Sequence, residues 1–319
     1  MVGDGMDVSV VIAAYNAESC IARAIGSIAE PAGRALEIIV VDDASRDGTV
    51  ALIERMAASD PRIRLERLAQ NGGPSAARNR GLAVARGRWI AVLDADDAYR
   101  PNRLERLVAL GEEANASIVA DNFASVFPDQ TAAPEPALKT EPAWQVLDLH
   151  SFLAGGRPGT GEADFGLLKP MFRADFLRDH GLTYPIDIRH GEDFELVLRA
   201  LSHGAVYLLA RTDLFYLYTA RGSGLSQTRI DYRRQIRRCE EIARWPAIRT
   251  DQQAAQLLRE RAAALCKFDL NAFSYGLGRS PIHPSVLWRA VQSSSGRAWL
   301  IQRVTKHVIE GNDDEPRRT

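Results

Sequence analysis

The sequence predicts an α/β protein built on a parallel sheet with helices on both faces. Three observations carry that class. Apolar, largely β-branched runs stand at residues 8–13, 36–41 and 89–93, and unbroken runs of that kind suit strands buried on both faces. Segments with apolar residues at helical spacing separate them. The two kinds alternate at short intervals from residue 8 to residue 120, the pattern of strands joined by helical crossovers.

Each element follows in order. Residues 8–13 (VSVVIA) form the first strand, and 18–29 a helix with Ile21, Ile25 and Ile28 on one face. The second strand, 36–41 (LEIIVV), ends in Asp42 and Asp43. A turn at Ser45, Arg46, Asp47 and Gly48 leads into a helix over 49–58. Ile63 and Leu65 alternate in a third strand over 62–68. Asn71, Gly72, Gly73 and Pro74 make a loop, and Ser75 caps a helix that runs to Ala85. A strand over 89–93, a helix over 101–114 and a strand over 117–120 complete the regular part.

Beyond residue 121 the pattern loosens. Residues 128–138 read as a Pro/Ala loop and 155–166 as a glycine-rich one. No strand feeds the second loop and no GK[ST] follows it, so it reads as a surface loop or lid rather than a phosphate cradle. A helix is expected over 192–203 and strands over 206–209 and 214–218. From 230 to about 309 the chain reads as helical, with breaks near Pro246, 276–284 and 293–296, and 311–319 as a polar, disordered tail.

Composition narrows the function classes. The 319 residues are 46% apolar, enough for a real core. A formal charge of −1 disfavours nucleic-acid binding. Cys20, Cys239 and Cys266 are odd in number and lack a CxxC spacing, which argues against a disulfide framework or zinc site and suits a reducing compartment. The first apolar run lacks a basic leader and reads as a strand, not a signal peptide. No apolar run approaches the roughly 20 residues that cross a bilayer.

In open α/β sheets ligands bind beyond the carboxyl ends of the strands, and three strand ends carry suggestive groups. The first ends in Ala13, Ala14, Tyr15 and Asn16, small residues and then an aromatic able to stack on a base. The second ends in Asp42 and Asp43, acceptors for a base N–H or a ribose. The fourth ends in Asp94, Ala95, Asp96 and Asp97. Carboxylates crowded at a sheet mouth repel unless a cation lies between them. In an extended segment Asp94 and Asp96 point the same way, and oxygen ligands suit Mg²⁺ or Mn²⁺ beside substrate phosphates. The competing reading is an acidic turn with Asp96 or Asp97 capping the next helix. Between these ends Arg78 follows the Asn71-Gly72-Gly73 loop, a cation able to meet phosphate. No GxGxxG follows the first strand, which excludes a dinucleotide Rossmann site.

AAYNAE, VVDDASRDGT, NGGPSAARNRGLAVARG and WIAVLDADD, in this order and spacing, resemble the family 2 glycosyltransferases of GT-A fold over residues 7 to about 220. The resemblance implies a nucleotide-sugar donor, a divalent metal and inversion at the anomeric carbon. It implies Tyr15 against the nucleobase, the Ala13 backbone in the same pocket, Asp43 bonded to the base (uracil, in the usual donor), and a DxD-type motif at Asp94, Ala95 and Asp96. Its carboxylates divide between ribose and metal, with Asp96 central and Asp94 or Asp97 assisting. Arg78 is expected toward the diphosphate. The base is expected at Asp193 in the Glu192-Asp193 pair that opens a helix, with Glu192 supporting the acceptor or orienting Asp193. The competing reading is acids favoured by the helix dipole.

Residues 164–171 (DFGLLKPM) and 216–226 (YLYTARGSGLS) resemble segments of bacterial exopolysaccharide glycosyltransferases, which sets Lys169 and Arg221 on the acceptor or diphosphate side. The resulting division is a GT-A domain over 1–225 (donor half about 1–121, acceptor half about 122–225), a C-terminal helical region over 226–311 and a tail over 312–319. The expected reaction moves a hexose from a UDP donor to a glycan or polyprenyl-diphosphate-glycan acceptor in the cytoplasm. Arg229, Arg233 and Arg237, with Arg234 and Arg238, form a cationic helix face. It reads as solvated or as a peripheral contact with the inner face of the cytoplasmic membrane, and 288–308 allow a similar interfacial helix. Two rivals stand beside this reading. A sugar-phosphate nucleotidyltransferase needs a Gly-rich cationic loop after the first strand, which AAYNAESC is not. A non-catalytic nucleotide-sugar-binding subunit is disfavoured by Asp96 and Asp193 occurring together.

Overall fold

The computed structural model describes residues 6–29, 33–126, 133–159, 163–219 and 231–276, with side chains to Lys267. Arg221 and Arg229, the 221–226 loop and the interfacial helix expected over 288–308 lie outside the described residues. The chain divides into two compact units, Met1–Cys266 and Lys267–Thr319, and the first holds every side chain discussed below.

Four parallel strands form the first half of the sheet. β1 (Val8–Ala14) lies between β2 (Leu36–Asp42) and β4 (Trp89–Asp94), and β3 (Ile63–Arg67) lies outside β2. Their β-branched cores, among them Val10, Ile12, Ile38 and Val40, are fully buried, as unbroken apolar runs require. The register pairs Ala14 with Asp42 and Ala13 with Asp94. Both carboxylates therefore flank the end of β1. The connecting helices are α1 (Ile21–Gly26), α2 (Thr49–Ser59) and α3 (Pro74–Val84). A Cβ on Gly81 would lie 2.2 Å from Val11 Cγ1, so α3 rests directly on β1. Arg78, one turn nearer the helix start, thereby comes beside the strand ends.

The other half departs from a wholly parallel sheet. β5 (Ala98–Tyr99) and α4 (Arg103–Glu113) lead to β6 (Ile118–Val126). After β7 (Trp144–Leu147), α5 (Leu149–Gly155) and a 3₁₀ turn at Phe165–Leu167, β8 (Met171–Arg173) enters antiparallel between β4 and β6. Three residues carry too little periodicity to announce a strand. α6 (Ala174–Asp179) and α7 (Glu192–Ser202) precede β9 (Tyr207–Thr219). β9 runs parallel to β6 and antiparallel to β5 and β7, which makes nine strands in one mixed sheet. The two strands expected over 206–209 and 214–218 are thus one. The polar stretch that separated them is absorbed by register shifts around Asn122. It is also held by the buried Arg211, which donates to the Lys139 carbonyl at 3.1 Å and to Gln145 Oε1.

α8 (Tyr232–Ile242), α9 (Pro246–Arg249) and α10 (Gln252–Gly276) follow. Pro246 opens α9, where its missing N–H is tolerated. Among the described residues no helix is long and apolar enough to cross a membrane.

Candidate functional site

The strand ends supply the floor of the site. Tyr15 is 46% exposed beyond β1, and Ala13 and Ala95 are partly buried beside it. Asp43 is buried, its Oδ1 and Oδ2 accepting from the Gly72 and Gly73 amides at 2.7 and 2.8 Å. Asn71 Nδ2 donates to the Asp43 carbonyl at 3.1 Å. The carboxylate thus pins the loop that opens α3. Burial raises its pKa against those two amide bonds. Gly73 takes φ 84°, a left-handed conformation that favours glycine where the loop turns into the helix.

A closed ring of charge lies between β4 and α7. Arg78 donates from one terminal nitrogen to Asp94 Oδ1 at 2.7 Å and from the other to Glu192 Oε1 at 2.8 Å, with Asp193 Oδ1 at 3.6 Å. Lys169 Nζ lies 2.9 Å from Asp94 Oδ2 and 2.6 Å from Asp193 Oδ2. Each cation therefore bridges Asp94 to the start of α7, and three carboxylates share two positive charges. Both cations are buried. Burial by itself would raise the Asp94 carboxyl, but Lys169 and Arg78 hold it well below the usual range. Burial would likewise lower Lys169, and the Asp193 and Asp94 charges instead raise it well above the ordinary ammonium value.

α7 brings Glu192 and Asp193 to this ring in its first turn, after Gly191 at φ 89°. Acids there are favoured by the helix dipole as well as by the two cations. Asn79 ties the approach to α7, exchanging hydrogen bonds with the Tyr184 backbone at 2.8 and 2.9 Å. The Lys169 carbonyl accepts from the buried Arg103 at 2.6 Å. Arg103 also forms a fully buried ion pair with Asp121 at 2.8 Å and lies 4.4 Å above the Tyr99 ring.

The three aspartates after Leu93 have different surroundings. Asp94 belongs to the charge ring. Asp97 is 3% exposed and accepts from the Tyr216 hydroxyl and the Thr219 amide, both at 2.8 Å. Burial, followed by the Asp94 charge, pushes its pKa up to about 7. Tyr216 Oη also accepts from the Asp94 amide at 3.3 Å. Asp97 therefore fastens the end of β9 to the β4–β5 turn. Asp96, like Asp94, is partly exposed, and its carbonyl accepts from Arg23, which also reaches Thr219 Oγ1 at 2.6 Å. Among the described residues no three His, Cys, Asp or Glu side chains gather as a metal cage. A divalent ion at this sheet mouth would therefore draw most of its ligands from phosphate oxygens and water, as Mg²⁺ commonly does.

The structure brings Arg78, Asp94, Lys169, Glu192 and Asp193 together. It sets Tyr15 and Asp43 at the neighbouring strand ends. Sequence reasoning missed the Arg103–Asp121 pair and Tyr216. The available signal was a charged pair at the edges of apolar segments, Arg103 opening a helix and Asp121 following the apolar run over 117–120. The α8 arginines also differ from a solvated face. Arg234 reaches Asp187 at 2.6 Å, and Arg238 reaches Glu195 and Glu241, each at 2.6 Å.

Comparison with known proteins adds to this geometry. Residues 9–157 match the model described as Glycosyl transferase family 2. Succinoglycan biosynthesis protein ExoO of Rhizobium meliloti is 39% identical over 71% of this chain, and the chain spans 64% of that relative's length. Succinoglycan biosynthesis protein ExoU of the same organism is 33% identical over 88% of this chain and 84% of its own. Among solved structures, S. aureus TarS 1-349 in complex with UDP-GlcNAc has a TM-score of 0.64 at 21% identity. That match covers 81% of this chain and 73% of TarS 1-349, a likeness of fold.

Proposed function

The chain belongs to glycosyl transferase family 2 and is a glycosyltransferase with the GT-A fold; on that premise we propose that it transfers a hexose from a UDP donor, with inversion, to a glycan or polyprenyl-diphosphate-glycan acceptor in polysaccharide biosynthesis. One observation carries the reading. Asp193, at the head of α7, is joined to Asp94, at the end of β4, through Arg78 and Lys169. A base and a donor-side carboxylate thus share one rigid frame. The relatives named for succinoglycan biosynthesis support the polysaccharide setting, and the UDP-GlcNAc complex of TarS supports a UDP-sugar donor.

In this reading Tyr15 stacks on the nucleobase, Asp43 accepts its N–H, and Ala13 and Ala95 let the nucleoside approach the backbone. Asp193 accepts the proton of the acceptor hydroxyl as that oxygen bonds to the anomeric carbon. The bond from that carbon to the diphosphate breaks on the opposite face, and UDP leaves. Glu192 faces the acceptor side and shares Arg78 with Asp94. Arg78 and Lys169 keep Asp193 oriented and supply positive potential beside the diphosphate. Asp96 would hold Mn²⁺ or Mg²⁺, which when bound neutralises charge on the diphosphate. The work is done in the cytoplasm, at the inner face of the membrane where the acceptor is lipid-linked.

Asp193→Asn tests the assignment. UDP affinity, read by calorimetry, should stay within about threefold while sugar transfer falls at least a hundredfold, within the range general acid–base catalysis supplies. Turnover retained within tenfold removes Asp193 from the base role.

A further inference from the structure

The arginines of α8 were legible as a cationic stripe, yet the two that turn inward grip the element that carries Asp193. Arg238 is bidentate to Glu195, with Nε to Oε2 at 2.6 Å and a terminal nitrogen to Oε1 at 2.7 Å. Glu195 is 1% exposed and lies two residues after Asp193 on α7. Its Oε1 also accepts from Arg199, one turn along the same helix, at 2.6 Å. Arg234 and Arg238 both reach Asp187 in the loop that leads into α7, at 2.6 and 3.4 Å. From α10, Arg261 lies 3.9 Å above the Phe194 ring and pairs with Asp164 at 2.9 Å. The first turn of α7 is therefore held from one side by Arg78 and Lys169, and from the other by residues beyond 230.

We propose that Arg238, acting through Glu195, is a positioning residue for the base. The helices after β9 are then part of the catalytic machinery rather than an appendage. A buried carboxylate on α7 that is fully paired can take only the orientation its partners allow. That orientation sets the angle at which Asp193 meets the acceptor oxygen. Misplacing a reacting group by about 1 Å can cost on the order of a hundredfold in rate. The proposal rests on Asp193 being the base.

The test uses the full chain and UDP-glucose as probe, reading UDP released to water together with UDP affinity by calorimetry. Wild type that neither binds UDP nor releases it refutes the proposed function itself. With wild type active, Arg238→Met should lower turnover at least tenfold and leave UDP affinity within threefold. Arg238→Lys, which keeps the charge, should recover part of the loss. The exposed Arg237→Met should match wild type. Arg238→Met leaves Glu195 buried with one partner fewer and risks misfolding, so Glu195→Gln combined with Arg238→Met removes the stranded charge. That double variant should fold, by thermal melt and circular dichroism, and stay slow. Wild-type turnover in the folded double variant overturns the proposal, and so does a parallel loss of UDP affinity and turnover. Binding of wild type to anionic vesicles that Arg238→Met abolishes, with turnover in solution unchanged, assigns the stripe to a membrane instead and equally overturns it.

Discussion

Asp97 makes the stability of this protein depend on pH in a direction that can be worked out. Burial, and then the charge of Asp94, push its carboxyl from 3.8 up to about 7. A group whose folded pKa exceeds its unfolded value holds its proton more tightly in the native state. Its contribution is complete below about pH 4 and is lost as pH rises through about 7. Each pK unit corresponds to about 1.4 kcal/mol, so the shift sets a ceiling of roughly 4 kcal/mol, of which about 2–3 kcal/mol is lost between pH 5 and 7. Asp97→Asn imitates the neutral carboxyl at every pH. The variant should melt close to wild type at pH 5 and above it at pH 8. At about 2–4 °C per kcal/mol the widening amounts to roughly 4–12 °C. Thermal melts of both proteins from pH 5 to 8, without divalent ions, make the measurement. Parallel curves across that range refute the reasoning.

Two further changes probe other parts of the frame. Arg103→Met strands the buried Asp121 and should cost about 3–5 kcal/mol in urea unfolding, while Arg103→Met with Asp121→Leu should recover most of it; equal losses in the two variants deny the stranded charge as the cause. Asp96→Ala should weaken UDP binding in Mn²⁺ at least tenfold and leave metal-free binding unaltered, and calorimetry showing the same affinity in both conditions dismisses Asp96 as the ion's carboxylate.

The half built on β1 to β4 was legible because its signals are local. A strand buried on both faces is largely apolar, and its end is marked by the carboxylate that closes the apolar run, as at Asp42 and Asp94. The Glu192-Asp193 pair was legible for a similar reason, since acids open a helix whose later residues show apolar spacing. What stayed hidden depends on partners far apart in the chain. Arg78 reads from sequence as a helix cation facing a ligand, and only the fold reveals Glu192, 114 positions away, as its partner. Asp97 directly follows a metal-type motif, but Tyr216 and Thr219 give it a structural task. Arg234 and Arg238 look identical to solvated arginines until Asp187 and Glu195 are brought against them.

The arrangement of charges across the two halves has a consequence for how the site comes to exist. Arg78 and Asp94 lie within the segment that matches the family model, residues 9–157, and Lys169, Glu192 and Asp193 lie beyond it. Each cation reaches across that boundary, Arg78 to Glu192 and Lys169 to Asp94. Alone, the first half would keep Arg78 paired only to Asp94. The second would hold two adjacent acids at a helix start with Lys169 as their cation. Buried charges of this kind are tolerated when they are paired and costly when they are not. Closing the ring therefore favours docking of α7 onto β4, and the same ion pairs that complete the fold set Glu192 and Asp193 against the end of β4. Because β8 lies between β4 and β6, with Lys169 just before it, that short antiparallel strand is the hinge of the arrangement. Its three residues carry Lys169 to Asp94, and the Arg103 bond to the Lys169 carbonyl holds it there.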